Sequence, residues 1–215
     1  LKAGPVGLRA TYADIGETIA EHLGIDPWLI DPLFRNCGEI NFLKREGEEC
    51  LVSNVEWLLA DLRAKYREYN ISEEPFVIIK ADAGTYGMGV MTVKSPDDVR
   101  NLNRNMRKKM ASAKEGMEVT GAIVQEGVYT FETIGLPPAT AEPVVYMIDH
   151  FVVGGFYRVH EGRGNNENLN APGARFHPLA FAETCTAPDH DCAPDASTNR
   201  FYAYGVVARL ALLAA

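Results

Sequence analysis

The spacing of apolar residues along the chain changes several times between a helical and a strand period. From Asn54 to Tyr69 apolar side chains recur every three or four residues, which predicts an amphipathic helix with Asn54 as its N-cap. Its predicted buried stripe consists of Val55, Leu58, Leu59, Leu62 and Tyr66. Ser95 followed by Pro96 predicts the start of another helix, which we expect to run to about Met110.

β-Branched and apolar runs predict strands over 121–125, 143–148 and 151–157. Asp149 and His150 separate the last two runs by a turn, so these strands are expected to form a hairpin. Helices that alternate with hairpin-forming strands indicate an α+β fold with mixed or antiparallel sheets, rather than a doubly wound parallel sheet.

The stretch from Phe76 to Val93 (FVIIKADAGTYGMGVMTV) places a glycine-rich centre between two β-rich runs. This pattern predicts a hairpin with Lys80 on its first strand and a tip that is mostly backbone. Successive N–H groups at such a tip, together with the lysine charge, suit the phosphates of a nucleoside triphosphate. The predicted contacts of this flap are Gly84, Thr85, Tyr86, Gly87, Met88 and Gly89.

Two common phosphate-binding loops do not fit this stretch. A Walker loop requires Gly-Lys-Ser/Thr at the start of a helix, whereas Gly89 is followed by Val-Met-Thr-Val. A dinucleotide fingerprint requires GxGxxG before a helix, whereas the spacing here is GxxGxG before a strand. A tight turn without a ligand would explain the glycines alone, but the position of Lys80 favours the flap.

Composition narrows the classes of function. The 215 residues carry a net charge of −8, which argues against general nucleic-acid binding. The final apolar run, 206–215, is too short to span a bilayer, so no membrane association is expected. The four cysteines show no CxxC pair, and free thiols with a pI near 5.2 favour the cytoplasm. Because the chain begins with Leu1 and ends in an apolar run, we expect a fragment of a longer polypeptide.

Polar positions after the flap predict the rest of a nucleotide site. A strand that ends in Gln125, Glu126, Gly127 and Val128 can offer backbone groups to the edge of an adenine. Glu132 either accepts hydrogen bonds from ribose hydroxyls or is a surface carboxylate. Arg158, followed by the loop Asn168-Leu169-Asn170-Ala171-Pro172-Gly173, suits the recognition of a carboxylate or phosphate.

The order of Lys80, the glycine loop, Gln125-Glu126, Glu142 to Asp149, Arg158 and Asn168-Leu169 resembles the ATP-grasp ligases, bacterial glutathione synthetase among them. A more extensive resemblance is to the proteobacterial type of glutamate–cysteine ligase. It is carried by the segments INFLKREGEEC, PFVIIKADAGTYGMGVMTVKS, VQEGV, AEPVVYMID, VVGGFYRVH and NENLNAPG. Long ungapped phrases of this kind are more specific than a single glycine motif.

The resemblance implies an ATP-grasp-like fold and a role for each matching position. Lys80 would contact the ATP phosphates under the flap, and Glu126 and Val128 would hold adenine through their backbones, next to Gln125. Glu132 would lie near the ribose. Arg158 and Asn168, with Lys80, would act on the transferring phosphate and the acceptor carboxylate. The related synthetases carry their Mg²⁺ ligands in a later Glu-x-Asn pattern that is missing after Asn170. Glu167 with Asn170 is the substitute candidate, and a polar loop that binds no metal is the alternative.

The implied reaction is ATP-dependent ligation of L-glutamate to L-cysteine, with ATP and Mg²⁺ required. Residues 1–75 would form a helical, linking region of a larger ligase, and residues 76–215 its nucleotide-binding and catalytic region. Small molecules are then the expected partners, and a homo-oligomer is left open. A glutathione synthetase or another carboxylate–amine ligase, and a non-catalytic ATP-binding module, remain as alternatives.

Overall fold

The structure is a computed structural model. It describes residues 16–82, 89–111, 119–178, 204–209 and 212. By its internal contacts the chain divides into two compact units, each of which is discontinuous in sequence. Unit A consists of Trp28–Tyr129 and Asn165–Asn170, and unit B consists of Leu1–Pro27, Thr130–Gly164 and Ala171–Ala215. The functional boundary expected between residues 75 and 76 stays a prediction.

The described residues form short helices, one long helix and eight strands. The helices are α1 (16–23), α2 (Glu48–Glu68), α3 (Pro96–Arg100) and α4 (Arg104–Met110), and residues 204–209 are also helical. The strands are β1 (Phe34–Cys37), β2 (Val77–Ala81), β3 (Val90–Val93), β4 (Ala122–Glu126), β5 (Thr133–Ile134), β6 (Ala139–Ile148), β7 (Phe151–His160) and β8 (Arg175–Pro178). Of these helices, none has the length and apolar character that a membrane span requires.

Unit A is built on a four-stranded sheet with the order β1-β4-β2-β3, in which every neighbouring pair is antiparallel. Residues alternate along β2 and β4 between buried and half-buried positions, because successive side chains point to opposite faces. The buried face forms one apolar core with the stripe of α2, which includes Val55, Leu58 and Leu62. The predicted helical stripe is therefore confirmed.

The predicted start of α2 at Asn54 is wrong. The helix begins six residues earlier, after Gly47, whose φ of 77° places it in the left-handed region. Glycine suits this position because a Cβ here would approach the carbonyl oxygen of Glu39 to 2.7 Å. Leu51 and Val52 extend the buried stripe into the added turn, and the Asn54 amide donates to Cys37 Sγ.

The capping prediction at Ser95 is confirmed, since Ser95 and Asp98 form a capping box with Pro96 in the first turn. The prediction that this helix continues to Met110 is wrong. α3 ends at Arg100, and α4 begins separately after Asn103, whose side chain accepts a hydrogen bond from Met106 N. A second capping residue inside the run thus divides what apolar spacing alone presents as one helix.

Unit B contains a second four-stranded antiparallel sheet, with the order β5-β6-β7-β8. The predicted hairpin is confirmed as β6 and β7, although both strands are longer than their apolar runs. Their register shifts between Tyr146 and Met147, so one extra residue is accommodated on β7. The two antiparallel sheets and the intervening helices establish the expected α+β class.

The end of β4 provides a test of how tightly unit A is packed. Gly127 N donates to Phe76 O at 2.9 Å, and a Cβ on Gly127 would lie 2.0 Å from a ring carbon of Phe76. That ring is 1% exposed and packs edge-on against Tyr129, so it has little room to move. We expect Gly127→Ala to lower the free energy of unfolding in urea by about 1–3 kcal/mol.

Gly38→Ala is the matched control for this substitution, because no heavy atom lies within 4 Å of its added Cβ. We expect its unfolding curve to remain close to that of the parent protein. Equal losses of stability in the two variants would contradict the close packing of Phe76 on Gly127.

Candidate functional site

Lys80 lies on β2, on the sheet face opposite the α2 core. Its register partners are Val90 on β3 and Ile123 on β4, and it is half-buried. Its ammonium group donates to Gln125 Oε1 at 2.8 Å. Because the alternation of β4 places Gln125 on the same face, the sheet itself brings these two predicted site residues together.

The base of the predicted flap is an antiparallel hairpin. β2 pairs with β3 through Lys80 and Val90, and Ala81 N donates to Gly89 O at 2.8 Å. Gly89 has a φ of 64°, a left-handed conformation that glycine adopts without strain. The other predicted flap contacts, Gly84, Thr85, Tyr86, Gly87 and Met88, lie outside the described residues, so their role stays a prediction.

Asp82 fastens the first arm of the hairpin to the residues that precede β4. Its Oδ2 accepts from the Thr120 hydroxyl at 2.7 Å, and its Oδ1 accepts from Thr120 N at 3.2 Å. Asp82 N in turn donates to Gly121 O at 3.0 Å. The end of β2 is therefore held at Asp82 by both side-chain and backbone hydrogen bonds.

Glu126 carries a buried carboxylate that is hydrogen-bonded within the fold. It is 6% exposed, and its Oε2 accepts hydrogen bonds from Trp28 Nε1 and Leu33 N, both at 2.9 Å. Its backbone N–H donates to Leu33 O at 2.7 Å. Contact of its backbone with adenine stays a prediction, and since the N–H is already used, the carbonyl would have to make it. Val128 beyond it is 62% exposed.

Trp28, which donates to Glu126, packs against two tyrosine rings. The ring of Trp28 lies with its centroid 5.1 Å from that of Tyr69 and 6.1 Å from that of Tyr66, both near the end of α2. Burial, together with the nearby negative charge of Glu126, raises the pKa of Tyr66 to about 12. Tyr66 is therefore a neutral phenol at physiological pH, as its place in the core requires.

In unit B, Glu142 on β6 and Arg158 on β7 are register partners and form an ion pair. Both residues lie inside their strands, not at the strand ends that the apolar runs suggested. Their side chains are 33% and 21% exposed, and Arg158 Nε is buried without a hydrogen-bond partner among the described residues. The guanidinium is thus oriented by the carboxylate of Glu142 on the neighbouring strand.

Glu132, the predicted ribose contact, is also in unit B. Its Oε1 accepts a hydrogen bond from the Tyr204 hydroxyl at 2.7 Å, and that hydroxyl lies 3.5 Å from the hydroxyl of Tyr157. Burial raises the pKa of Tyr204, and its hydrogen bonds with Tyr157 and Glu132 add to the effect. Tyr204 therefore remains a donor that orients this carboxylate, while the ribose contact itself stays a prediction.

The loop that carries Glu167, Asn168 and Asn170 is held by its own side chains. Asn168 Oδ1 accepts from Asn170 N at 2.9 Å, and Leu169 between them is fully buried. The role of Asn168 toward a phosphate stays a prediction. The loop residues 165–170 belong to the same compact unit as Lys80 and Gln125.

His160 joins the two sides of this loop. Its Nδ1 accepts from Gly162 N at 3.2 Å, so its Nε2 carries the proton and donates to Pro172 O at 3.1 Å. A Cβ on Gly173 would lie 3.3 Å from the same ring nitrogen. The imidazole thus bridges the residues that flank the loop before and after it.

The predicted magnesium ligands have the right donor atoms but are few. Glu167 is exposed and Asn170 half-buried, and both offer oxygen, which Mg²⁺ prefers. No group of three or more His, Cys, Asp or Glu side chains suited to a metal occurs among the described residues. A pair of protein oxygens fits Mg²⁺ only where phosphate oxygens and water complete its octahedral shell.

Several contacts of the site were missed by sequence reasoning. Trp28 and Leu33 hold Glu126, and Tyr204 orients Glu132, each from a distant part of the sequence. His160 bridges the residues on either side of the loop from a nearby position. The burial of Glu126 had no sequence signal either: residues 122–126 read Ala-Ile-Val-Gln-Glu, without an apolar–polar period of two, and only the structure shows that Glu126 lies on the core face. The other contacts have no local sequence pattern.

Comparison with known proteins shows the family of the chain. The family model described as glutamate–cysteine ligase matches residues 8–215, and the chain therefore belongs to this family. A crystal structure from Methylobacillus flagellatus KT, provisionally described as a gamma-glutamylcysteine synthetase, is 59% identical with a TM-score of 0.82. The match covers 99% of this chain and 50% of that one, so the chain spans half the length of this relative. A search of curated proteins gave no match.

The buried carboxylate generates a stability prediction. Removing it in Glu126→Ala leaves the N–H groups of Trp28 and Leu33 without their acceptor, which we expect to cost about 2–4 kcal/mol in urea unfolding. Glu126→Gln keeps an acceptor oxygen and should lose less. Glu56→Ala, at an exposed position of α2, is the control for loss of a glutamate, and a loss there as large as in Glu126→Ala would contradict this structural role.

Proposed function

We propose that this chain is the nucleotide-binding and catalytic part of an ATP-dependent ligase that joins L-glutamate to L-cysteine. The observation that carries the proposal is the family match over residues 8–215. The placement of Lys80 beside Gln125 at the base of a glycine hairpin supports it. In this proposal the fold is of the ATP-grasp type, and the hairpin is a flap over the triphosphate.

The chemistry explains why such a site needs a cation and a flap. Amide formation from a carboxylate is uphill in water, so the γ-carboxylate of glutamate is first phosphorylated and the cysteine amine then displaces the phosphate. Side chains need do little covalent chemistry in such a transfer, because positioning and charge neutralisation dominate. Lys80 would neutralise the ATP phosphates, and Arg158 and Asn168 would face the transferring phosphate and the acceptor carboxylate.

Exclusion of water is the second requirement, since an acyl phosphate hydrolyses when exposed. The glycine hairpin would close over the phosphates and shield the intermediate. Adenine would lie against the end of β4, near Glu126 and Val128, with Glu132 toward the ribose. The base of the hairpin, from which the flap would close, is fastened through Asp82.

A divalent cation completes the proposal. Mg²⁺ would neutralise charge on the phosphates, and Glu167 and Asn170 are the residues that would hold it. The acidic net charge of −8 supports small-molecule partners over nucleic acid. The free thiols and acidic pI favour the cytoplasm, and a homo-oligomer is compatible with the proposal.

Removal of the Lys80 charge tests the placement of the phosphates. We expect Lys80→Met to weaken Mg-ATP binding about 10- to 100-fold, because a hydrogen bond between charged groups is lost. Isothermal titration calorimetry measures this affinity. Lys94→Met, at an exposed position next to β3 in the same hairpin, is the matched control and should bind as the parent does. Unchanged affinity in Lys80→Met would remove Lys80 from the phosphate site.

The reaction is tested by coupled ADP release from the complete enzyme with Mg-ATP and L-glutamate, with and without L-cysteine. We expect release to require both amino acids and γ-glutamylcysteine to appear by mass spectrometry. Turnover only with γ-glutamylcysteine and glycine would favour a glutathione synthetase instead. Binding of ATP without turnover on either pair would favour the non-catalytic module.

A further inference from the structure

Cys37 and Cys50 come together from different elements of unit A. Cys37 ends β1 and Cys50 lies in the first turn of α2, and their sulfur atoms are 3.6 Å apart. Sulfur atoms at this separation are in van der Waals contact, and a disulfide needs them to approach to about 2.05 Å. We propose that Cys37 and Cys50 form a reversible disulfide site that reacts with low-molecular-weight disulfides.

The two thiols differ in access to solvent. Cys50 is exposed, whereas Cys37 is 3% exposed. A small disulfide can therefore reach Cys50 directly, while Cys37 can be reached only through its neighbour. Cys50 would therefore form the mixed disulfide with the reagent, and Cys37 would be the resolving thiol that displaces it.

Asn54 connects the pair. Its Nδ2 lies 2.8 Å from Cys37 Sγ and 3.6 Å from Cys50 Sγ, so the amide is positioned to donate to either sulfur. Burial raises the pKa of Cys37 to about 11, and the hydrogen bond from Asn54 acts in the opposite direction. The buried thiol thus stays protonated and protected until a reactive sulfur bond forms beside it.

The exchange balances in two steps. The Cys50 thiolate attacks one sulfur of the disulfide RSSR, which forms a Cys50–SR bond and releases RS⁻, which takes up a proton. Cys37 then loses its proton and attacks Cys50 Sγ, which forms the Cys37–Cys50 bond and releases the second RSH. Two electrons pass from the protein thiols to the small disulfide, and an excess of thiol reverses the reaction.

The bond would fasten the first turn of α2 to the end of β1. Cys37 and Cys50 are 13 residues apart in sequence, so the cross-link closes a short loop and reduces the freedom of the unfolded chain. The oxidised protein should therefore unfold at a higher temperature than the reduced protein.

The test uses the protein with Cys185 and Cys192 replaced by serine, which leaves Cys37 and Cys50 as the only thiols among these 215 residues. It is incubated with 2-hydroxyethyl disulfide and mapped by mass spectrometry without reduction. We expect a peptide that links Cys37 to Cys50, a mass loss of about 2 Da from the reduced protein, and a rise in Tm of about 5–10 °C. Dithiothreitol should reverse all three changes.

A Cys50→Ser variant in the same background is the matched control, since it keeps the buried thiol but removes the exposed one. It should show no linked peptide and no rise in Tm on the same treatment. A stable mixed disulfide on Cys50 without the linked peptide would overturn the proposal, as would two unreacted thiols at an excess of the reagent.

Discussion

The carboxylate of Glu126 imposes the constraint on which the arrangement of unit A depends. A charged group in a protein interior is strongly unfavourable unless hydrogen bonds replace its water. Glu126 obtains them from Trp28 and Leu33, which precede β1. The ring of Trp28, which supplies one of these N–H groups, packs against Tyr66 and Tyr69 at the end of α2. One buried charge thereby fixes the relative positions of β4, the segment before β1 and the end of the long helix.

The two faces of β4 carry residues with different roles: one face belongs to the core, and the other carries candidate site residues. Gln125 is next to Glu126 in sequence but points to the opposite side of β4, where it accepts from Lys80. Because the core face of β4 is held by the contacts of Glu126, the position of Gln125 on the opposite face is fixed as well. In unit B, Glu142 and Arg158 occupy register partners on β6 and β7, so both candidate cations are oriented by a neighbour on an adjacent strand.

Sequence patterns predicted the features that depend on neighbouring residues. The stripe of α2, the capping box at Ser95 and the β6–β7 hairpin follow from local spacing, and the family followed from long matching phrases. The predicted start of α2 was wrong because α2 begins after Gly47. The need for glycine at that position comes from its left-handed φ and from the nearby carbonyl oxygen of Glu39, a contact that only the structure shows. The contacts of Glu126 and Glu132 join residues far apart in sequence, which a local pattern does not specify. Those of His160 are closer in sequence but depend on the path of the loop. The flap contacts from Gly84 to Met88 rest on the sequence alone.

The order in which unit A and unit B follow one another along the chain has a consequence for biosynthesis. When a ribosome has added Tyr129, all of β1 to β4 and α2 to α4 has been made, whereas the strands β5 to β8 of unit B have not. The sheet that carries Lys80 can therefore begin to fold before the hairpin of Glu142 and Arg158 has been translated. Leu169, which is fully buried, belongs to a six-residue segment that joins unit A only after most of the unit B sheet has emerged. The nascent protein thus receives its two candidate cations, Lys80 and Arg158, at separate times during its own synthesis.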